Sequence, residues 1–231
     1  MLKRKQLLLL LGVFALTFSV RILTLQFMRA HLNDPGWFQG GSYAKFDRQA
    51  RDILDGRQRL FWIDDPARTD LAQYPPAFPA LVALVYKLSG NHSAYVVQSV
   101  QWIADLILSF VLLTGIAWTA FGWRTGIVAS FLFALSPLFA LYGTYPSADA
   151  PTTWFVLGGC WLLLLAAQRS SIWLAFGAGV LLGVACWFRV NPLYLCVGWA
   201  FALFVFVRAT RRRRLLMSAA VLLGTLLMIA P

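Results

Sequence analysis

The chain reads as an all-α polytopic membrane protein: a transmembrane helical bundle of about seven spans with one long polar loop near its start. Three observations carry this reading. First, 60% of the 231 residues are hydrophobic and 13% are charged, whereas soluble domains run at about 45–50% and about 25%. Second, apolar runs near the roughly 20 residues that a bilayer crossing needs recur along the chain. Third, the basic residues gather at Lys3-Arg4-Lys5 and Arg208 to Arg214, beside apolar runs, as the cytoplasmic ends of spans do. The net charge of +11 therefore points to a membrane surface and not to nucleic acid.

The expected spans are Leu7–Met28, Ala94–Phe121, Thr125–Tyr145, Thr152–Ala167, Ile172–Phe188, Leu193–Val207 and Leu215–Ile229. The first has the basic flank of a signal peptide. It runs for about 22 residues with no small-residue cleavage site after it, so it reads as a retained helix. Pro76–Leu88 is the ambiguous run. At about 13 residues, headed by Pro75, Pro76 and Pro79, it suits an interfacial helix better than a crossing. Charge supports that choice. With the N-terminus inside and Pro76–Leu88 lying in the surface, Arg124, Arg169 and Arg208 to Arg214 all face the cytoplasm. If it crossed, the five arginines Arg208 and Arg211 to Arg214 would face outward, against the positive-inside rule. The expected topology thus puts residues 31–92 outside as the first outer loop, together with Asp149. One domain, 1–231, is expected in the plasma or inner membrane. Its last apolar run ends at Pro231 with no tail, as in the front part of a longer protein.

The polar loop holds seven of the nine acidic residues, all Asp: Asp34, Asp47, Asp52, Asp55, Asp64, Asp65 and Asp70. Phe46, Ala50, Ile53 and Leu54 recur at i, i+4, i+7 and i+8. Asp47, Arg48, Arg51, Asp52 and Asp55 lie opposite them, and Gly56 stands as a stop. This predicts an amphipathic helix on the membrane surface. The three cysteines, Cys160, Cys186 and Cys196, fall in apolar runs and read as packing residues. His31 and His92 show no ligand spacing, and there is no Gly-rich phosphate loop or nucleophile elbow.

Ionisable groups at membrane depth are costly and point to function. Asp149 lies in the short turn Gly143 to Pro151, as a helix cap or as an acid meeting substrate or metal at the surface. Arg189 ends a span on the same side, where a guanidinium suits a phosphate group. Arg21 and Asp105 lie about 10–14 Å below the outer ends of their spans at 1.5 Å per residue. Matched in depth and opposite in sign, they are expected to form a structural intramembrane pair.

The order of these features resembles a known family. A basic start and one span lead into the Phe46-Asp47-Arg48-Gln49-Ala50-Arg51-Asp52-Ile53-Leu54-Asp55-Gly56 helix. Tyr74-Pro75-Pro76-Ala77-Phe78-Pro79 and the Asp149 turn follow. Together they resemble the C-type-fold membrane glycosyltransferases, in particular the protein O-mannosyltransferases and lipid A aminoarabinose transferases, over their N-terminal catalytic part. The resemblance implies transfer of a sugar from a polyprenyl-phosphate carrier to an acceptor on the outer face. It implies a loop acid as the base that activates the acceptor, a second acid beside the donor at Asp149, and a cation for the carrier phosphate at Arg189. In the family the loop acid precedes the helix aromatic by about four residues. Here that position is Ser42, so Asp47 or Asp34 is the available substitute. A divalent metal is left open. The competing class is a lipid or solute transporter, which predicts repeats, broken helices and polar residues at mid-membrane; a non-catalytic relative is the third reading.

Overall fold

The computed structural model describes residues 4–32, 42–57 and 75–230. Among these every regular element is a helix: α1 (Arg4–His31), α2 (Ser42–Leu54), α3 (Ala77–Ser89), α4 (Ala94–Phe121), α5 (Trp123–Leu135), α6 (Pro137–Thr144), α7 (Asp149–Arg169), α8 (Ile172–Phe188), α9 (Leu193–Phe206) and α10 (Arg211–Ile229).

By length and composition, α1, α4 and α7 can each cross a membrane, and α5 with α6 adds a fourth if that bent pair is one span. Among the described residues the expected count of about seven is not confirmed. At 1.5 Å per residue α8 and α9 measure about 26 and 21 Å, short of the ~30 Å hydrocarbon core. α10 opens on four arginines. The expected Thr125–Tyr145 span is broken: α5 and α6 meet at 66°. Pro137 is the cause, for it lacks an N–H and pushes the preceding residue out of the helical region. Ser136 accordingly takes φ −74°, ψ 115°.

α1 and α4 run antiparallel. Phe14 meets Phe110 with centroids 5.1 Å apart, Arg21 pairs with Asp105, and Arg29 donates to Ser99 at 2.7 Å. Descending positions on α1 match ascending positions on α4, so the C-terminus of α1 and the N-terminus of α4 lie at the same end of the bundle. At that end Met28, Leu32 and Val97 join α2 and α3 in one apolar cluster, with Ala148 before α7 and Phe188 closing α8. At the other end α4 and α7 finish together: Trp161 and Gln168 donate to the Thr119 hydroxyl and carbonyl, both at 3.0 Å. There Arg213 donates to the Ser170 carbonyl at 2.6 Å, and Arg214 to that of Phe204 at 3.0 Å.

Tyr43, Phe46 and Ala50 form the buried stripe of α2. Phe46 meets Phe78 of α3 edge-on, with centroids 4.9 Å apart. Of α3, Phe78, Val82, Ala83 and Tyr86 are buried while Leu84 and Leu88 stay exposed, the division expected of a helix lying at a lipid boundary. α8 and α10 pack backbone to backbone. A Cβ on Gly179 would overlap Val221, and one on Gly224 would overlap Phe176. Small residues permit such approach where lipid offers no hydrophobic drive for helix association.

Candidate functional site

The site is built on the bundle end that carries α2 and α3. Two clusters form there, and a third charge pair beneath them holds the scaffold.

The first cluster joins α2 to α3. The buried Tyr86 hydroxyl donates to Asp47 Oδ1 at 2.5 Å. Arg51, one turn on from Asp47, donates from Nε to Oδ2 at 3.0 Å, and from Nη2 to the His92 carbonyl at 2.9 Å. The Tyr43 hydroxyl lies 3.0 Å from that of Tyr86, and the His92 ring stacks on Tyr86 at 5.1 Å. Burial, and then the bond to Asp47, push the Tyr86 phenol up to about 12. Burial likewise raises Tyr43. The Asp47 hydrogen bond raises Arg51 further. Both phenols thus stay protonated as donors while Asp47 accepts.

The second cluster lies at the heads of α7 and α9. Asp149 is the first residue of α7, and Ala148 stands at the cap position. The Asp149 amide donates to the Ser147 hydroxyl at 3.3 Å. Its carboxylate is turned to Arg189, the residue closing α8: Nη2 donates to Oδ2 at 3.0 Å, and Nε lies 2.9 Å from Oδ1. The pair is half exposed, at 35% for the Arg189 side chain and 40% for Asp149. It forms one wall of a cleft of about 500 Å³, lined also by Thr152, Thr153, Asn191, Pro192 and Leu195. The first turns of α7 and α9 both border this cleft.

Arg21 and Asp105 lie deeper, 0% and 5% exposed. Arg21 Nη1 donates to Asp105 Oδ2. Asp105 Oδ1 accepts from Ser109 at 2.6 Å and from Trp154 at 2.8 Å. The Arg21 guanidinium lies 4.5 Å over the Phe133 ring. Gly143 of α6 presses on the pair, and a Cβ there would overlap both partners. This one carboxylate therefore ties α1, α4 and α7 and seats α6. One turn toward the site, Gln101 Nε2 donates to the Tyr145 carbonyl at 2.6 Å, while its Oε1 accepts from the Ser147 amide at 3.3 Å. Gln101 thus clasps the turn that leads to Asp149.

The sequence-predicted residues fall into three places. Asp149 and Arg189 are brought into contact with each other. Asp47 sits on the same apolar cluster, through its neighbour Phe46, as Ala148 and Phe188, which adjoin the pair. Arg21 and Asp105 form the buried pair below. Asp34, Asp64, Asp65 and Asp70 lie outside the described residues. Among the described residues no group of three His, Cys, Asp or Glu could hold a metal ion. Tyr43, Tyr86, Gln101 and Trp154 were not foreseen. Gln98, Gln101 and Asp105, at helical spacing in an apolar run, were the signal for the α4 clasp. Tyr86 carried no such mark, because its partner is distant in sequence.

No curated protein and no solved structure matches the chain. The family described as dolichyl-phosphate-mannose-protein mannosyltransferase matches residues 73–231, a stretch that takes in α3 to α10 with Asp105, Asp149 and Arg189, and not α2. More than half of the sequence is covered, and the chain belongs to this family of membrane glycosyltransferases.

Proposed function

We propose that the protein transfers a mannosyl or related sugar from a polyprenyl-phosphate carrier to an acceptor hydroxyl at the outer face of the cell membrane. The carrying observation is that Asp47 and the Asp149–Arg189 pair share one end of the bundle, over one apolar cluster. In this reading the carrier phosphate enters the cleft beside Arg189, whose planar fork suits two phosphate oxygens. The acceptor oxygen attacks the anomeric carbon, and the bond from that carbon to the phosphate oxygen breaks. The electron pair leaves on the phosphate, where a cation stabilises it. Asp47 takes the acceptor proton as general base; each of its oxygens keeps acceptor capacity beyond its one bonded donor. Asp149 lies on the donor side. The cytoplasmic end is the one with Arg124, Arg169 and Arg208 to Arg214, consistent with the positive-inside rule.

A transfer assay on membranes, fed a range of polyprenyl-phosphate sugars, tests this. Asp149→Asn and Asp47→Asn should each lose activity; transfer by both at the parental rate would refute the site. A cysteine at Arg212 should resist labelling from outside. A transporter is the second reading, and the α5–α6 break favours it. It predicts uptake of the lipid-linked or free solute without glycosidic bond formation, which the same assay separates.

A further inference from the structure

We propose that Asp149 acts as an internal competitor for the carrier phosphate: the carboxylate holds Arg189 while the cleft is free, yields it to the phosphate, and takes it back to expel the spent carrier. This rests on the function proposed above and adds to it an exchange of partners at one guanidinium.

Three observations carry the inference. Arg189 holds Asp149 by a hydrogen bond from Nη2, and its Nε lies 2.9 Å from the other carboxylate oxygen without a hydrogen bond, so the carboxylate covers the two nitrogens with which a guanidinium grips a phosphate. A phosphate on those nitrogens and the present carboxylate exclude one another. The pair is also a third or more exposed at the wall of a cleft of about 500 Å³, so solvent can replace either partner and parting them costs little. Finally, Asp149 is bound as a helix residue and not as a cap. Its backbone amide is held by Ser147 and its carbonyl by the Thr153 hydroxyl at 2.9 Å, so the carboxylate can leave Arg189 without unwinding α7.

The chemistry gives the exchange a direction. The donor is a phosphodiester with one negative charge. Once the sugar has gone, the carrier is a phosphate monoester approaching two charges near neutral pH, its second pKa being about 6. The product therefore holds Arg189 more tightly than the donor did. A carboxylate tethered at the same guanidinium opposes that retention at a high local concentration.

The test uses the purified full chain in lipid nanodiscs, titrated with a fifteen-carbon prenyl monophosphate and, in parallel, with inorganic phosphate. Asp149→Asn, isosteric and uncharged, should bind both about two- to five-fold more tightly than the parent, the size a half-exposed ion pair allows. Arg189→Met should bind both more weakly. In the Arg189→Met background, Asp149→Asn should add no tightening. Should Asp149→Asn not fold, Asp149→Ala serves in its place. If Arg189→Met weakens binding while Asp149→Asn leaves it unchanged or weaker, the competition is overturned and the phosphate role of Arg189 stands. Tightening for the prenyl probe alone overturns it too, since the effect would lie in the chain and not the phosphate. If Arg189→Met binds both probes as the parent does, the competition falls together with the assignment of Arg189 to the phosphate.

Discussion

Two of the aspartate–arginine pairs among the described residues are built from the same chemistry and placed in opposite surroundings. Arg21 and Asp105 are sealed in the bundle, and every oxygen of Asp105 is engaged. Asp149 and Arg189 stand at a cleft, exposed by 40% and 35%. The difference teaches that burial decides what an ion pair does. Charges removed from water cannot part without leaving one uncompensated, so the deep pair joins helices permanently. Charges at a wet wall part cheaply and can take another partner. Asp47 and Arg51 are intermediate, since Tyr86 adds a buried neutral donor to a pair that is otherwise exposed.

The strongest way to break the comparison is to remove one charge from each pair. Asp105→Ala should destabilise the protein by about 3–5 kcal/mol, the cost of a stranded buried charge. The double variant Arg21→Met with Asp105→Leu should recover most of that in thermal unfolding. Equal melting of the parent and Asp105→Ala would show that the deep pair carries no structural weight. Next comes Gly143→Ala. Its methyl has no room against the pair, and overpacking of this kind costs about 1–3 kcal/mol. It should also lower transfer, because α6 leads into the Asp149 turn.

Asp149→Asn should behave in the opposite way to Asp105→Ala. Its melting should shift by no more than about 1 kcal/mol, while transfer falls. A variant that loses stability instead would make the two pairs alike. Tyr86→Phe removes one hydrogen bond to a carboxylate and should cost about 1.5–3 kcal/mol at most. The same contact has a pH signature. The Tyr86 phenol titrates near 12 in the fold against an ordinary 10, so the folded state holds its proton more tightly. That stabilisation is complete below about pH 10 and is lost as pH rises toward 12. A phenolate absorbance titration should show a late step near pH 12 in the parent that vanishes in Tyr86→Phe, while the buried Tyr43 still ionises late.

Much of this was legible residue by residue. The amphipathic stripe of Phe46 and Ala50 set α2, and Gly56 ended it. Pro75 and Pro76 started the short α3. Matched depth anticipated that Arg21 and Asp105 would meet. Other features needed contacts between distant segments. Pro137 announces a helix boundary locally, yet hydropathy averaged over a window runs straight through it, which is how one span was expected where α5 and α6 bend. Tyr86 reads as an ordinary interfacial aromatic until α2 folds back upon it. Asp149 reads equally well as a cap, until Arg189 arrives from forty residues later and claims its carboxylate.

The sequence by itself determined the apolar surroundings of this protein, the helix-flanking clusters of its arginines, and most of where its helices begin and stop. These follow from composition and short-range periodicity, which act within a few turns of the chain. Only the tertiary structure decided which charge met which, and how much water each pair retained. Partner choice and burial depend on helices packed from remote parts of the chain, and no local pattern encodes the dielectric that surrounds a carboxylate.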